Sequence, residues 1–481
     1  MTVIMKKTIS YIIAGFVALS FTACNGFLEK GPALSQSTEL TLSDYAGLNK
    51  ATHGAYAYLP SANWYGGTKV LESEMRSGNG MKSSVHNSNR YSTEMNWNYT
   101  ADATSSLWSY AYVTISCANN VIDNLEGKDV GGVTAKDLNN LKAECLFIRA
   151  LAHFDLVTTF AQPYSYSPDG PGVPYVFHTD PAGKPARNTV KEVYDNVVAD
   201  LLEAESIIDP KYARAGVADS KAVVTIYAIQ ALLSRVYLYM QEYQKAADYA
   251  TKVIDSGKFQ MYTKDNYAKV WNQAKGGDEV IFEVYKDISN RANEDCSYMT
   301  FPDGAYGDCL CSTELYDLYE DGDVRKTMFV QDKDKTAGLF WTTKYSGKGV
   351  GTPDANNTVV LRLSEMYLNR AEAIAAGNIT SSNGKALSFT ADMDVILENR
   401  GATIAGGTPM EKVKIERRKE LAWEGHYFFD KARWNDPVNR ASCYDLAEKN
   451  LSIPFPDYRW ALPIPQRELD VNENLVQNEK Y

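Results

Sequence analysis

The chain has no basic excess. Lysine and arginine number 49 against 60 aspartates and glutamates, for a net charge of −11, and no basic run of five occurs. Phosphate backbones would find nothing here to neutralise them, so nucleic acid is excluded as a partner. Histidine is scarce: His53, His86, His153, His178 and His426 each stand alone, and no H-E-x-x-H is present. G-x-S-x-G and G-x-x-x-x-G-K-[ST] are also missing, and "SGKGVG" has the wrong spacing for the latter. The acidic turns "EDGD" at Glu320 and "DKDK" at Asp332 do not continue to a twelfth-position glutamate, so neither is a calcium loop. Seven cysteines fit no zinc spacing. No catalytic centre, metal site or cofactor is expected.

Beyond residue 24 no apolar run is long enough to span a bilayer. Before it, "MKK" followed by "TISYIIAGFVALSF" has the charge and length of a secretory leader over residues 1–23. "FTAC" then places small residues ahead of Cys24, the expected lipidation site, although Phe21 stands where leucine is usual. Each buried CH₂ of an acyl chain contributes ~0.8 kcal/mol, so a multiply acylated cysteine holds stably to a membrane. Of the other cysteines, Cys117 and Cys145 lie in apolar helical text and read as buried thiols. Cys296 with Cys309 or Cys311 could close a loop disulfide in an exported protein.

What remains is a folded composition, 44% hydrophobic and 23% charged, with 32 tyrosines suited to flat amphipathic contacts. Helical periodicity predicts helices over Leu40–Leu59, with Thr41 and Asp44 as a capping box, over 107–125 and 141–161, over Val190–Ile208, and over Lys221–Ser256. In the last, Leu233, Tyr237, Tyr243, Ala246 and Ala250 fall where a tetratricopeptide-type hairpin places its packing residues, with Gln241–Glu242 as the turn. Leu363, Tyr367, Ala371 and Ala375 repeat the pattern, but not in tandem. "QPYSYSPDGPGVPYV" must be loop. Two long aromatic-dotted insertions are expected, 60–106 and 259–359, with "DEVIFEVYK" in the second alternating as a strand does.

Five passages then resemble one family. "CNGFLEKGP", "AECLFIRALAHFDLVTTFAQP", "LRLSEMYLNRAEAIA", "ERRKELAWEGHYFFDKARW" and "LPIPQRELDVNENLVQNEKY" are similar, in order, to motifs of the SusD/RagB outer-membrane nutrient-binding lipoproteins. The resemblance spans 24–481. It implies a mainly α, single SusD-like domain with tetratricopeptide-like hairpins within about 40–60, 107–160, 190–256 and 360–377, and little β structure. It implies a non-catalytic receptor on the cell surface, lipid-anchored in the outer membrane. Such a receptor captures oligosaccharide, or in some members peptide, for a SusC-type TonB-dependent transporter.

Sugars present apolar C–H faces ringed by hydroxyls, so aromatic platforms beside hydrogen-bonding side chains are the expected contacts. In the first insertion these are Trp64, Tyr65, Glu74, Arg76, Asn96, Trp97 and Tyr99; in the second they are Tyr298, Tyr306 and Trp341. Trp108, Tyr345 and His153 read instead as core. The stretch Glu416–Trp434 reads as one helix of five turns, with Arg417 reaching Glu420 or Leu421, and Glu420 and Glu424 stacked. As a carboxylate pair, Glu420 with Glu424, or Glu72 with Glu74, could serve a glycoside hydrolase. As a packed network the first pair is scaffold, the reading preferred here. A protein-binding scaffold using only its hairpins is the third class.

Overall fold

The computed structural model describes residues 42–481 except 83–88, 126–127, 129, 218, 272–275, 287–295, 301–305, 332–337, 347–355 and 441–445. Cys24, the leader, His86, the Asp332 turn and Cys443 lie outside the described residues.

Helices dominate. α1 (Tyr45–Tyr56) starts at Asp44, whose side chain accepts from Gly47 N. Asp44 is therefore the N-cap itself, not the third-position partner of Thr41. α2 (Thr68–Ser77) stands in the first insertion. α3 (Leu107–Leu125) and α4 (Ala135–Phe160) form a hairpin, and a Thr134–Asp137 capping box starts α4. Almost every residue of α4 from Leu138 onward is buried, so it is the axial helix of the core. α5 (Val190–Ile207), α6 (Ile226–Tyr239) and α7 (Tyr243–Asp255) follow. The predicted turn lies between the last two, with Gln241 at φ 61°. Ala246 and Ala250 are fully buried where α7 meets α6.

The second insertion leaves after α7 and returns to α8 (Leu363–Gly377). Its two ends pair antiparallel: β2 (Val280–Val284) lies beside β6 (Thr358–Arg362), with Val280 opposite Arg362. That stem brings the chain back to its point of departure, and α8 packs directly on α7. The hairpin copies, separated in sequence, are therefore contiguous in space. α9 (Phe389–Arg400) extends the array from α8. Within the insertions the sheets are small: β1 (Gly80–Lys82) pairs with β3 (Cys309–Cys311), and β4 (Phe329–Val330) with β5 (Trp341–Thr342). These segments enclose a second hydrophobic core of their own, including Leu71, Met75, Met299, Leu310, Trp341 and Trp423.

The stretch Glu416–Trp434 is not one helix. α10 (Pro409–Glu420) ends, and a turn follows with Trp423 at φ 63° and Gly425 at φ 81° before α11 (Tyr427–Trp434) begins. A Cβ on Gly425 would sit 2.9 Å from Lys69 O, so only glycine lets the turn close against α2. A short α12 (Gln466–Val471) opens the C-terminal tail.

Candidate functional site: a groove between helix, loop and tail

The paired glutamates are settled first by their surroundings. Glu420 receives Arg362 Nη1 at 2.6 Å, Arg400 Nη2 at 2.7 Å and Arg325 Nη1 at 2.9 Å, all fully buried. Burial alone would raise its carboxyl, but Arg400, Arg362 and Arg325 together hold it well below the usual carboxylate range. Glu424 is held by Arg362 Nε at 2.8 Å and Lys344 Nζ at 2.6 Å. Among its three arginines the Glu420 carboxylate has no proton to give, and both glutamates are buried. Arg417 does not reach the Glu420 side chain; it donates to Asp430 at 2.8 Å and Asn369 at 2.7 Å. Glu72 and Glu74 do not converge either, because positions two apart on a helix face different ways. Glu74 accepts from Asn79 at 2.8 Å and Gly425 N at 3.2 Å, while Glu72 faces Glu94 and Ser105.

Most of the expected platforms are packed inside. Trp64 is fully buried and donates from Nε1 to Asp155 of α4 at 2.9 Å, with Tyr65 stacked beside it. Trp97 lies under Arg440, whose guanidinium sits 3.4 Å from its ring centroid. Arg76 packs 3.8 Å over Phe428 and donates to Arg459 O, with the Tyr99 ring centroid 5.5 Å from its guanidinium. Trp341 is buried in the insertion core and donates to Gly307 O at 2.9 Å. Trp64, Tyr65, Glu74, Arg76, Trp97, Tyr99 and Trp341, expected as ligand contacts, are thus all buried and packed against groups of the protein itself. Asn96, Tyr298 and Tyr306 are half-buried. Asn96 pairs with Asn450, and the two tyrosine rings lie 6.0 Å apart with Arg90 over Tyr306. Cys309 and Cys311 are buried free thiols, so neither closes a disulfide with Cys296. Trp108, Tyr345 and His153 are buried, and burial pushes the His153 imidazole down to about 3.

A concave feature lies elsewhere. A groove of about 910 Å³ is floored by α3 (Trp108, Tyr112, Ile115) and walled by residues 174–185 on one side and 468–475 on the other. That volume is near the upper end of ligand pockets, about 300–1,000 Å³. At its mouth Phe177 is 43% exposed and Val471 is 65% exposed.

Both walls are fixed. Tyr112 Oη donates to Pro174 O at 2.8 Å, and Asn472 and Asn474 donate to Pro185 O and Lys184 O at 2.9 and 2.8 Å. Arg187 ties the assembly from behind. Its Nε donates to Gly172 O at 2.6 Å, Nη2 to Pro171 O at 2.8 Å and Nη1 to Val476 O at 2.9 Å. Burial with only backbone carbonyls as acceptors brings its guanidinium down to about 10.

On the rim, His178 Nδ1 lies 2.7 Å from Asp123, which also accepts from Thr179 N. Asp180 accepts from Ala182 N, Lys184 approaches Glu473 at 3.6 Å, and Glu468 approaches Arg467 at 3.5 Å. The sequence offered "FHTDPAGKP" only as a continuation of a Pro/Gly-broken loop. An aromatic next to a histidine in that loop was the one signal available.

Fold and groove together define a tetratricopeptide-like helical protein with a rigid surface cleft. Two family models match the chain: one described as "Starch-binding associating with outer membrane" over residues 26–238, and one described as "SusD family" over 330–481. The chain belongs to the SusD/RagB family. SusD-like protein P2 of Formosa agariphila is 24% identical to it, over 98% of this chain and 99% of that protein. A SusD superfamily protein of Bacteroides thetaiotaomicron superposes with a TM-score of 0.81 at 28% identity, covering 91% of this chain and all of its own. Another from Bacteroides vulgatus superposes with a TM-score of 0.81 at 26% identity, over 91% of this chain and 99% of its own.

Proposed function

We propose that this protein is a lipid-anchored receptor of the outer membrane that captures oligosaccharide without cleaving it and passes it to a SusC-type TonB-dependent transporter. The observation that carries the reading is the family match, whose description names starch binding and association with the outer membrane over residues 26–238. The geometry supports it: the cleft is preformed, Glu420 and Glu424 are paired with buried arginines and lysine, and Glu72 and Glu74 face different ways on their helix. Cys24 supplies the anchor, holding the receptor beside its transporter.

The test has three parts. The full chain should bind a polysaccharide saturably with no new reducing ends over hours of incubation. Cys24→Ala should release it from the membrane fraction. Affinity capture of the wild-type protein from detergent-solubilised outer membranes should bring down a TonB-dependent transporter. Reducing ends that accumulate with enzyme concentration would sink the receptor reading.

A further inference from the structure

We infer that the groove over α3 is an oligosaccharide subsite of this protein, taking a neutral glycan, with Phe177 as its stacking platform and His178 and Asp180 as its hydrogen-bonding rim. The inference rests on the carbohydrate reading above and assigns it a place. The residues that composition marked as platforms are mostly packed inside, whereas Phe177 is 43% exposed at the mouth of a cleft of about 910 Å³.

The chemistry of the lining selects the ligand. An apolar ligand would cover Phe177 and Val471 but strip water from His178 and Asp180 without replacing its hydrogen bonds. A purely polar ligand would leave the aromatic and aliphatic faces wet. A pyranose ring presents both a C–H face for Phe177 and hydroxyls for the rim.

The rim is arranged for this. His178 uses Nδ1 toward Asp123, which orients the ring and leaves Nε2 without a protein partner among the described residues. Asp180 uses Oδ1 to accept from Ala182 N, which fixes its turn. Lys184 lies beside Glu473 and Arg467 beside Glu468, so among the described residues of the groove no unpaired lysine or arginine awaits an acidic sugar. The asparagine stitches and the Arg187 clamp hold both walls before any ligand arrives, which lowers the ordering cost of binding.

The experiment is affinity electrophoresis of the purified full chain through gels containing soluble starch, xylan, mannan or polygalacturonate. Retardation by a neutral polysaccharide is expected. In that gel Phe177→Ala and His178→Ala should each weaken apparent affinity at least fivefold, while Tyr166→Ala, on an exposed ring outside the groove, should migrate as wild type does. Phe177 and His178 are exposed, so melting temperatures should be unchanged, and fold loss is separable from site loss. Groove variants that run like wild type in a retarding gel would overturn the subsite while leaving the receptor reading intact. So would retardation by polygalacturonate alone. A wild-type chain retarded by none of the four would count against the receptor reading, and the subsite would fall with it.

Discussion

Arg362 grips Glu420 at two levels: Nη1 donates to its Oε1 at 2.6 Å and Nη2 to its backbone carbonyl at 2.6 Å. Arg362 is the last residue of β6, opposite Val280, and its Nη1 also reaches Glu279 at 2.6 Å. One side chain therefore fastens the base of the insertion stem to the end of α10. Removing one partner of a buried pair leaves the others uncompensated, at a cost of about 3–5 kcal/mol. Glu420→Gln, which takes one carboxylate charge from three buried arginines, should lower unfolding stability by up to that order in urea titration. Glycan retention at a temperature where the variant is folded should be unchanged. A variant as stable as wild type would show that the network contributes no net stability.

The contribution of Glu72 and Glu74 to stability should fall as pH rises from about 5 to 8. Burial, then the neighbouring Glu94 carboxylate, push Glu72 up to about 8, and burial pushes Glu74 up to about 7. Both lie above the unfolded value of about 4.3. Between those limits the folded state holds protons that the unfolded state has lost, so the slope of stability with pH is negative, and it vanishes below the unfolded pKa. Glu72→Gln should flatten that slope, gaining in melting temperature relative to wild type at pH 8 and little at pH 5. Parallel melting curves for the two proteins from pH 5 to 8 would rule this out.

Arg187→Met should loosen both walls of the groove together. Four backbone carbonyls lose a donor, those of Phe160, Pro171, Gly172 and Val476. Each lost hydrogen bond to a charged donor is worth about 1.5–3 kcal/mol, less where water replaces it. Amide exchange should accelerate in 171–188 and 472–478 and stay unchanged in α6 and α7. Acceleration spread evenly over the chain would mean a general destabilisation rather than a clamp.

Trp64→Phe should cost stability and leave binding alone. It deletes the Nε1 donor to Asp155, a carboxylate that also holds Lys69 at 2.7 Å. A loss of about 1–3 kcal/mol is expected in urea titration, with glycan retention as in wild type. Loss of retention at full stability would return Trp64 to the list of ligand contacts.

How far the sequence could be read depended on whether a signal was local. Helical periodicity, the Gln241–Glu242 turn and the small residues Ala246 and Ala250 act within a few residues of themselves, and the structure shows them where periodicity put them. Trp108 and His153 sit in continuous apolar helices, so their burial was legible too. Trp64 and Trp97 lie in Gly-, Ser- and Asn-rich text, and Trp341 in an insertion rich in Gly, Asp and Tyr. Such composition signals irregular backbone, not exposure, and here the irregular segments close over hydrophobic cores. The Glu416–Trp434 stretch keeps helical spacing through a break set by Gly425, whose reason is the backbone of Lys69 some 350 residues earlier. The groove was out of reach for a related reason: its floor and walls come from three segments joined only by the fold.

The return of the second insertion to its point of departure makes it a side branch on the helical array. β2 and β6 form the node, and α7 and α8 meet as if nothing lay between them. Loop-closure entropy grows only with the logarithm of length. Residues could therefore be added to or removed from the branch beyond its node at little cost to the trunk. Changes inside the branch and changes in the array are then free to accumulate separately, up to the buried joint where Arg362 and Arg325 meet Glu420.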